Sequence, residues 1–235
     1  IWRHDSAYGD LVLVPDGTFN ILVANHPFYI ANDGHEPGIY FIPVLGKSIA
    51  IRSNHPTYGL RLKIFSLHNL IQCNNIPVEK VGQLFKLALS KQLVEQVYNN
   101  TVHAVSIDEC LNTLENLNYE LIYKNYKVND LLRDRVNYIL DRKGDVQINE
   151  MCEFFDVSRQ ALHKSFKKAI GISPKELSSI WKLNHFIWRL KSEQSYTASA
   201  YDVGYYDQAH SIKEFQSKYA LSPSQFVKEY AETFN

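Results

Sequence analysis

The chain has 235 residues, 45% of them hydrophobic, with 25 basic and 25 acidic side chains and a formal net charge of zero. This length suits one large domain or two ordinary ones, and the zero net charge excludes a global electrostatic argument for nucleic-acid binding. No apolar run approaches the roughly 18 residues of a membrane span, and the first residues do not resemble a signal peptide. The scattered cysteines Cys73, Cys110 and Cys152 lack CxxC spacing, which predicts a reducing cytoplasm.

Residues 1–75 are predicted to be rich in β-strand. Two extended runs surround the turn Pro15-Asp16-Gly17, where proline presets φ and glycine allows a positive φ. The later runs GIYFIPV, SIAIRSN and GLRLKIFSL are rich in β-branched and aromatic residues and are separated by Gly, Pro and Asn. Short strands at this spacing predict a small β-barrel or β-sandwich.

The pattern becomes helical at Pro77. Apolar side chains recur at i, i+3, i+4 and i+7 from Val81 to Leu93, which predicts a helix beginning at Pro77. A second helix is predicted with Ser106 as its N-cap and Glu109 completing a capping box. The apolar stripe has to be buried either against the β region or against a second copy of the chain, and the sequence leaves both open.

The C-terminal third contains a repeat at an offset of 49 residues. The segment SRQALHKSFKKAIGISPKEL from Ser158 superimposes on DQAHSIKEFQSKYALSPSQF from Asp207. Each copy closes on a Ser-Pro pair that predicts a helix start, with serine as N-cap and proline at the first helical position. A short helix and a tight turn precede each copy, so each unit is predicted to be a helix-turn-helix, and a helix of about 19 residues connects them.

The helix after Ser158 is predicted to have one basic face. On a helical wheel its apolar side chains share about one third of the circumference: Leu162, Phe166, Ala169 and Ile170. The other side carries cations mixed with Gln and His: Gln160, His163, Lys164, Lys167 and Lys168. From Arg159 to Lys191 there are eight Lys or Arg and one acid, Glu176, a local charge of +7. Gln and His can read base edges, and Lys can hold phosphates, so this face favours DNA over simple solvation.

Residues 129–235 resemble the DNA-binding domain of the AraC/XylS transcriptional regulators, which has two helix-turn-helix units joined by a long helix. The resemblance rests on VSRQALHKSFKKAIGISPKEL and DVGYYDQAHSIKEFQSKYALSPSQF. It implies a cytoplasmic regulator that binds double-stranded promoter DNA and is not an enzyme. It also implies the contact residues. Bases would be read by Gln160, His163 and Lys164 in the first unit and by Gln208, Ala209, His210 and Lys213 in the second, and phosphates would be held by Arg159 and Lys167.

The second unit departs from the family pattern. Ser199 and Ser211 stand where the family carries apolar core residues, and Lys213 is the only cation on the outer face of its second helix. We therefore expect the first unit to bind DNA more strongly than the second. The alternative function is an effector-binding or protein-binding module whose weakened second unit no longer supports DNA binding.

The predicted fold is α+β in three parts. Residues 1–75 form a β-rich sensing domain, residues 76–128 a helical connector that is a candidate for dimerisation, and residues 129–235 the all-α domain with two helix-turn-helix units. The first part is similar in kind to the small barrel that many members of the family use to bind an effector or to dimerise. A homodimer and a small-molecule effector are thus open expectations. The nine histidines lack ligand spacing, and nucleophile and phosphate-loop motifs are absent, so no metal or cofactor is predicted.

Overall fold

The computed structural model describes residues 1–5, 7, 9–104, 106–124, 129–193 and 208–230, and the side chains of residues 107, 191–193, 208–210 and 229–230 lie outside that description. Its N-terminal part contains two antiparallel sheets, with the strand orders β1-β8-β3-β6-β9 and β2-β7-β4-β5. The strands are β1 (Trp2–His4), β2 (Leu11–Leu13), β3 (Thr18–Ala24), β4 (Phe28–Ile30), β5 (Asp33–His35), β6 (Gly38–Ile42), β7 (Ile49–Arg52), β8 (Thr57–Lys63) and β9 (Phe85–Lys86). The predicted β-rich N-terminal architecture is confirmed.

The turn Pro15-Asp16-Gly17 carries the chain from one sheet to the other. Strand β2 before it pairs with β7, whereas β3 after it pairs with β6 and β8. The turn is held by the Asp16 carboxylate, which accepts a hydrogen bond from the backbone N–H of Thr18 at 2.9 Å. Gly17 takes a φ of +81°, the left-handed conformation that glycine adopts without strain. Because its two strands belong to different sheets, the turn does not close a hairpin.

The other regular elements of the described chain are mainly α-helices. They are α1 (Leu67–Cys73), α2 (Lys91–Val102), α3 (Ile107–Asn118), α4 (Asp130–Asp141), α5 (Ile148–Phe154), α6 (Arg159–Ile170), α7 (Pro174–Glu193), α8 (Gln208–Tyr219) and α9 (Pro223–Tyr230). Helix α1 lies inside the region predicted to be β. Helix α3 begins as predicted, because the Ser106 hydroxyl accepts a hydrogen bond from the backbone N–H of Glu109 at 3.3 Å.

The prediction of a helix beginning at Pro77 is wrong. The first turn there is a single 3-10 turn, Val78–Lys80, and helix α2 begins only at Lys91. The hydroxyl of Ser90 caps α2 by accepting a hydrogen bond from the N–H of Leu93 at 3.3 Å. Between them, β9 adds itself to the edge of the five-stranded sheet beside β6. The apolar residues here have a helical spacing, but the backbone pairs instead with β6, a strand more than forty residues away.

The apolar stripe of this connector is only partly buried within its own chain. Val81 is fully buried and belongs to the largest cluster of buried side chains, whereas Ala88 is exposed. Leu84, Phe85 and Leu93 are half-buried. Of the two predicted ways to bury the stripe, packing within one chain therefore accounts for its most buried member, Val81, and the other way stays open for the rest.

One hydrophobic core joins the β region to the first part of the helical region. The same cluster of buried side chains contains Phe41 of β6, Leu70 of α1, Phe166 of α6 and Leu177 of α7. A second, smaller cluster lies at the other end of α7 and contains Phe186, Phe215 and Phe226 together with Val14, which directly precedes the turn at Pro15. The β region is therefore packed against both halves of the C-terminal helical region.

Polar contacts reinforce the second of these two interfaces. The Tyr219 hydroxyl lies 3.1 Å from the carbonyl oxygen of Pro15, and the Asn184 side chain donates to the carbonyl of Asp16 at 2.9 Å. The N–H of Ser48 donates to the carbonyl of Lys218 at 2.6 Å. These bonds satisfy backbone groups of the β region with donors and acceptors from α7 and α8, so the contact is specific as well as apolar.

Candidate nucleic-acid interface

Helices α5 and α6 form the first predicted helix-turn-helix. The turn between them is closed by a hydrogen bond from the N–H of Val157 to the carbonyl of Cys152 at 3.0 Å, and Asp156 takes a φ of +47°. The Ser158 hydroxyl accepts a hydrogen bond from the N–H of Ala161 at 3.2 Å and thereby caps α6. The predicted short helix, turn and N-cap of this unit are all present.

The face of α6 predicted to meet DNA is exposed. Leu162, Phe166 and Ile170 are fully buried on the opposite side, where they join the main core. The exposed side chains are Arg159, Gln160, His163, Lys164 and Lys168. None of the three cations among them forms an ion pair with another described residue. A helix anchored by one apolar stripe thus presents an unneutralised positive face, which is the electrostatic requirement for binding a phosphate backbone.

Lys167 differs from its neighbours. It is half-buried, and its Nζ lies 3.1 Å from Oε2 of Glu176 and 3.4 Å from the carbonyl of Gly171. Burial raises the pKa of the Glu176 carboxyl, but hydrogen bonds from Ser173 and the Lys167 ammonium outweigh burial, so that pKa is lowered overall. In this conformation the predicted phosphate contact Lys167 ties the end of α6 to the start of α7.

The start of α7 is a complete capping box. The Ser173 hydroxyl accepts a hydrogen bond from the N–H of Glu176 at 3.2 Å, and the Glu176 carboxylate accepts one from the N–H of Ser173 at 2.6 Å. Helix α7 then runs for 20 residues, close to the predicted length of the connecting helix. At 1.5 Å per residue it is about 30 Å long, comparable with the roughly 34 Å between successive major-groove segments on one side of DNA.

Arg135 is a polar residue of this region that the sequence interpretation missed. It lies on the inner side of α4 and is 7% exposed, and its Nη1 donates to the Ser165 hydroxyl of α6 at 3.0 Å. Burial lowers its pKa, and no carboxylate of the described chain pairs with it. Its spacing from Leu132 and Ile139 places it on the buried face of α4. A charged residue at such a position can be recognised from the sequence, because the helical period predicts that the position is buried.

The second unit is described only in part. Helix α8 and the capped start of α9 match the prediction, since the Ser222 hydroxyl accepts a hydrogen bond from the N–H of Gln225 at 3.3 Å. Lys213 is exposed on α8, whereas Ser211 is fully buried, as its alignment with Leu162 requires. The predicted first helix of this unit and its N-cap Asp207 lie outside the described residues, as do Ser199 and the side chains of Gln208, Ala209 and His210.

Other kinds of site find little support in the part of the chain that the structure describes. No group of three or more His, Cys, Asp or Glu side chains there is arranged to hold a metal ion. Cys73, Cys110 and Cys152 are free thiols. Among the helices of the described residues, none combines the length and the apolar character needed to cross a membrane.

The comparisons with known proteins define the class of the C-terminal region. Residues 151–229 match a family model described as a helix-turn-helix domain, which is a DNA-binding module. Over 87 residues the chain is 37% identical to an uncharacterized HTH-type transcriptional regulator of Haemophilus influenzae, and the match covers 37% of this chain. It spans only 29% of the length of that relative. Residues 151–229 of this chain are therefore similar to known helix-turn-helix domains.

The fold of the whole chain is similar to that of ToxT from Vibrio cholerae. The match to the ToxT structure from strain O395 has a TM-score of 0.51 at 14% identity and covers 97% of this chain and 95% of that one. The match to an apo ToxT structure from strain SCE256 has a TM-score of 0.53 at 12% identity and covers 93% and 94%. At this identity the likeness concerns the fold alone: a β-rich N-terminal part followed by a helical C-terminal part.

Proposed function

We propose that the chain is a sequence-specific DNA-binding transcriptional regulator. Its two helix-turn-helix units would read adjacent major-groove segments, and its N-terminal domain would regulate them. The observation that carries the proposal is the exposed cationic face of α6 inside a helix-turn-helix domain, with its apolar side fully buried. The three free cysteines agree with the reducing cytoplasm that such a regulator requires.

The proposed contacts in the first unit divide into two kinds. Gln160, His163 and Lys164 would meet base edges, where amide, imidazole and ammonium groups can discriminate donor and acceptor patterns. Arg159, at the N-terminal end of α6, would hold a phosphate. Lys167 would do the same after exchanging its ion pair with Glu176 for a phosphate, and an ion pair this exposed contributes only about 0–1 kcal/mol to stability.

In the second unit we propose that Gln208, Ala209, His210 and Lys213 face the DNA. The exposure of Lys213 on α8 supports this for one of the four. The unit has one cation on this face where α6 has several, so the first unit would supply most of the electrostatic binding energy.

A small-molecule effector is a further part of the proposal, and a cavity in the N-terminal half supports it. The cavity has a volume of about 250 Å³ and lies between β1, β8 and the helices α2 and α3. Its lining combines apolar surface from Trp2 and Leu114 with the Arg3 guanidinium, which lies 5.7 Å from the centre of the Tyr58 ring. A few polar groups in an apolar concavity are typical of small-ligand sites.

Binding of the purified chain to genomic DNA fragments tests the function, followed by mobility-shift titration of the selected sequences at several salt concentrations. We expect log affinity to fall linearly with log salt, with a slope of about −0.9 per phosphate neutralised. Lys164→Ala should lose about 1–3 kcal/mol of binding free energy and relax the preference at one base position. Lys91→Ala, at the exposed start of α2, is the matched control and should bind like the wild type.

The contrary outcome would be equally clear. If no fragment is enriched and the chain binds no DNA at moderate salt, the alternative of an effector-binding or protein-binding module replaces the proposal. If Lys164→Ala and Lys91→Ala lose equal affinity, α6 does not read bases.

A further inference from the structure

The connector and the C-terminal half of the α6 face that is proposed to meet DNA line the same groove. Residues 78–83, which we name the covering segment, and the C-terminal half of α6 line opposite sides of one groove of about 610 Å³. The covering segment contributes Val78, Glu79, Gly82 and Gln83, and α6 with its C-cap contributes His163, Lys164, Lys167, Lys168 and Gly171. Two of the three side chains proposed to read bases therefore face a part of the protein itself.

The two sides of the groove meet through backbone contact at its end. A Cβ atom on Gly171 would lie 2.7 Å from the carbonyl oxygen of Val81, and one on Gly82 would lie 3.2 Å from the carbonyl oxygen of Gly171. Gly171 also has a φ of +79°, as the C-cap of α6 requires. Gly82 is exposed. Its lack of a side chain allows the close approach to the backbone of Gly171.

The covering segment is anchored, and does not merely lie near α6. Val81 is fully buried and belongs to the same core cluster as Ile170 and Ile172, which flank Gly171. Helix α1, which leads into the segment, also packs against α6. Glu79 is the one carboxylate among the residues that line the groove, and it lies across the groove from three lysines and a histidine. The docked segment thus supplies both apolar burial and opposite charge.

A recognition helix in the major groove has no room for such a segment. The groove is about 12 Å wide and 8.5 Å deep, and a helix with its side chains is about 10–12 Å across. A helix inserted that far is flanked by the phosphate backbones of both strands. The covering segment, whose backbone contacts Gly171 and which lines the same groove as Lys164, would occupy the space that those phosphates need. The docked conformation and the specific DNA complex therefore exclude one another at the C-terminal half of α6.

We infer that the covering segment is an intramolecular competitor of DNA for the face of α6, so that the docked form is autoinhibited. The inference rests on the proposed function, because it names how DNA binding by α6 is regulated. The apparent dissociation constant for DNA equals the intrinsic constant divided by the fraction of undocked molecules. Arg159 and Gln160 do not line the groove, so the N-terminal end of α6 can still contact DNA in the docked form.

Substitution of Gly82 tests the competition, with Gly46 as the matched control. In Gly82→Leu the new side chain would push against the carbonyl of Gly171 and weaken docking, whereas a Cβ atom on the exposed Gly46 would meet no other atom within 4 Å. Gly82→Leu should bind the selected DNA more tightly, by about tenfold if one wild-type molecule in ten is undocked. Gly46→Leu should bind like the wild type.

Hydrogen exchange of the wild type gives a second readout that needs no variant to fold. Addition of the selected DNA should accelerate amide exchange in residues 76–83 while leaving β3 unchanged. Two results would overturn this inference without affecting the proposed function. One is equal or weaker DNA binding by folded Gly82→Leu, and the other is unchanged exchange in residues 76–83 of the DNA complex. If neither the wild type nor Gly82→Leu prefers any DNA sequence, the proposed function falls and this inference with it.

Discussion

Removal of one buried hydroxyl should measure how tightly the β region is attached to helices α7 and α8. Tyr219 is 3% exposed, and its hydroxyl lies 3.1 Å from the carbonyl of Pro15 and 3.1 Å from Oδ1 of Asn184. Its ring packs on Phe215, with the ring centres 4.5 Å apart. Tyr219→Phe keeps this ring packing but removes the single phenolic proton, which leaves one of these acceptors without its donor.

The expected loss follows from that geometry. An unsatisfied buried acceptor costs about 1–3 kcal/mol, and the Asn184 side chain keeps its bond to the carbonyl of Asp16, so we expect a loss of about 1–2 kcal/mol. For a chain of this size that is a fall in melting temperature of about 2–8 °C. Urea unfolding gives the free energy directly. Tyr29→Phe, at a tyrosine that is 50% exposed, is the control and should change neither quantity.

Tyr219→Phe should also change how the stability of the chain depends on pH. Burial raises the pKa of Tyr219, and the nearby carboxylate of Asp16 raises it further, so the folded state favours the protonated phenol. Its contribution to stability is therefore complete below the ordinary tyrosine pKa of about 10 and is lost as the pH rises above that value. The wild type should lose more stability than Tyr219→Phe between pH 9 and about pH 11. A loss equal to that of Tyr29→Phe at neutral pH, or identical alkaline profiles, would refute the assignment of this contact.

Two further predictions concern the capping box and the connector. Glu176→Gln should destabilise the chain by about 1 kcal/mol at pH 7, because it weakens the bonds to Ser173 and Lys167. Since the pKa of Glu176 is lowered, that difference should shrink as the pH falls below about 4, and an undiminished difference at pH 3 in urea unfolding would contradict the electrostatic part. Sedimentation of the full chain at micromolar concentration should give a monomer, because Val81, the most buried residue of the stripe, already lies in the core of its own chain. A dimer there would show that the rest of the stripe pairs between copies.

Local signals in the sequence determined where the DNA-binding helices begin and which side of them is buried. Ser158, Ser173 and Ser222 each cap the helix predicted for them, because a cap depends on a side chain and an N–H only three residues away. The burial of Leu162 and Phe166 also follows from the 3.6-residue period alone. The exposed cationic face of α6 could for that reason be predicted without a structure.

The secondary structure at the start of the connector could not be predicted from local sequence signals. The stripe from Val81 to Leu93 has a helical spacing, yet Phe85 lies in β9 beside Phe41 of β6. A strand at a sheet edge is stabilised by hydrogen bonds to a distant segment, and its own sequence carries no record of that partner. The buried guanidinium of Arg135 is similar, because its acceptor Ser165 lies on another helix.

Long-range packing determines which surfaces of the DNA-binding region are available. The sequence placed Lys167 among the phosphate contacts, whereas the folded chain pairs it with Glu176. The contact of Gly82 with Gly171 and the bond between Tyr219 and Pro15 join positions about 90 and 200 residues apart. Periodicity and capping act within one or two helical turns, so they define a helix and its faces. What covers a face depends on the packing of distant segments, which is settled only when the whole chain minimises its exposed apolar surface and satisfies its buried polar groups.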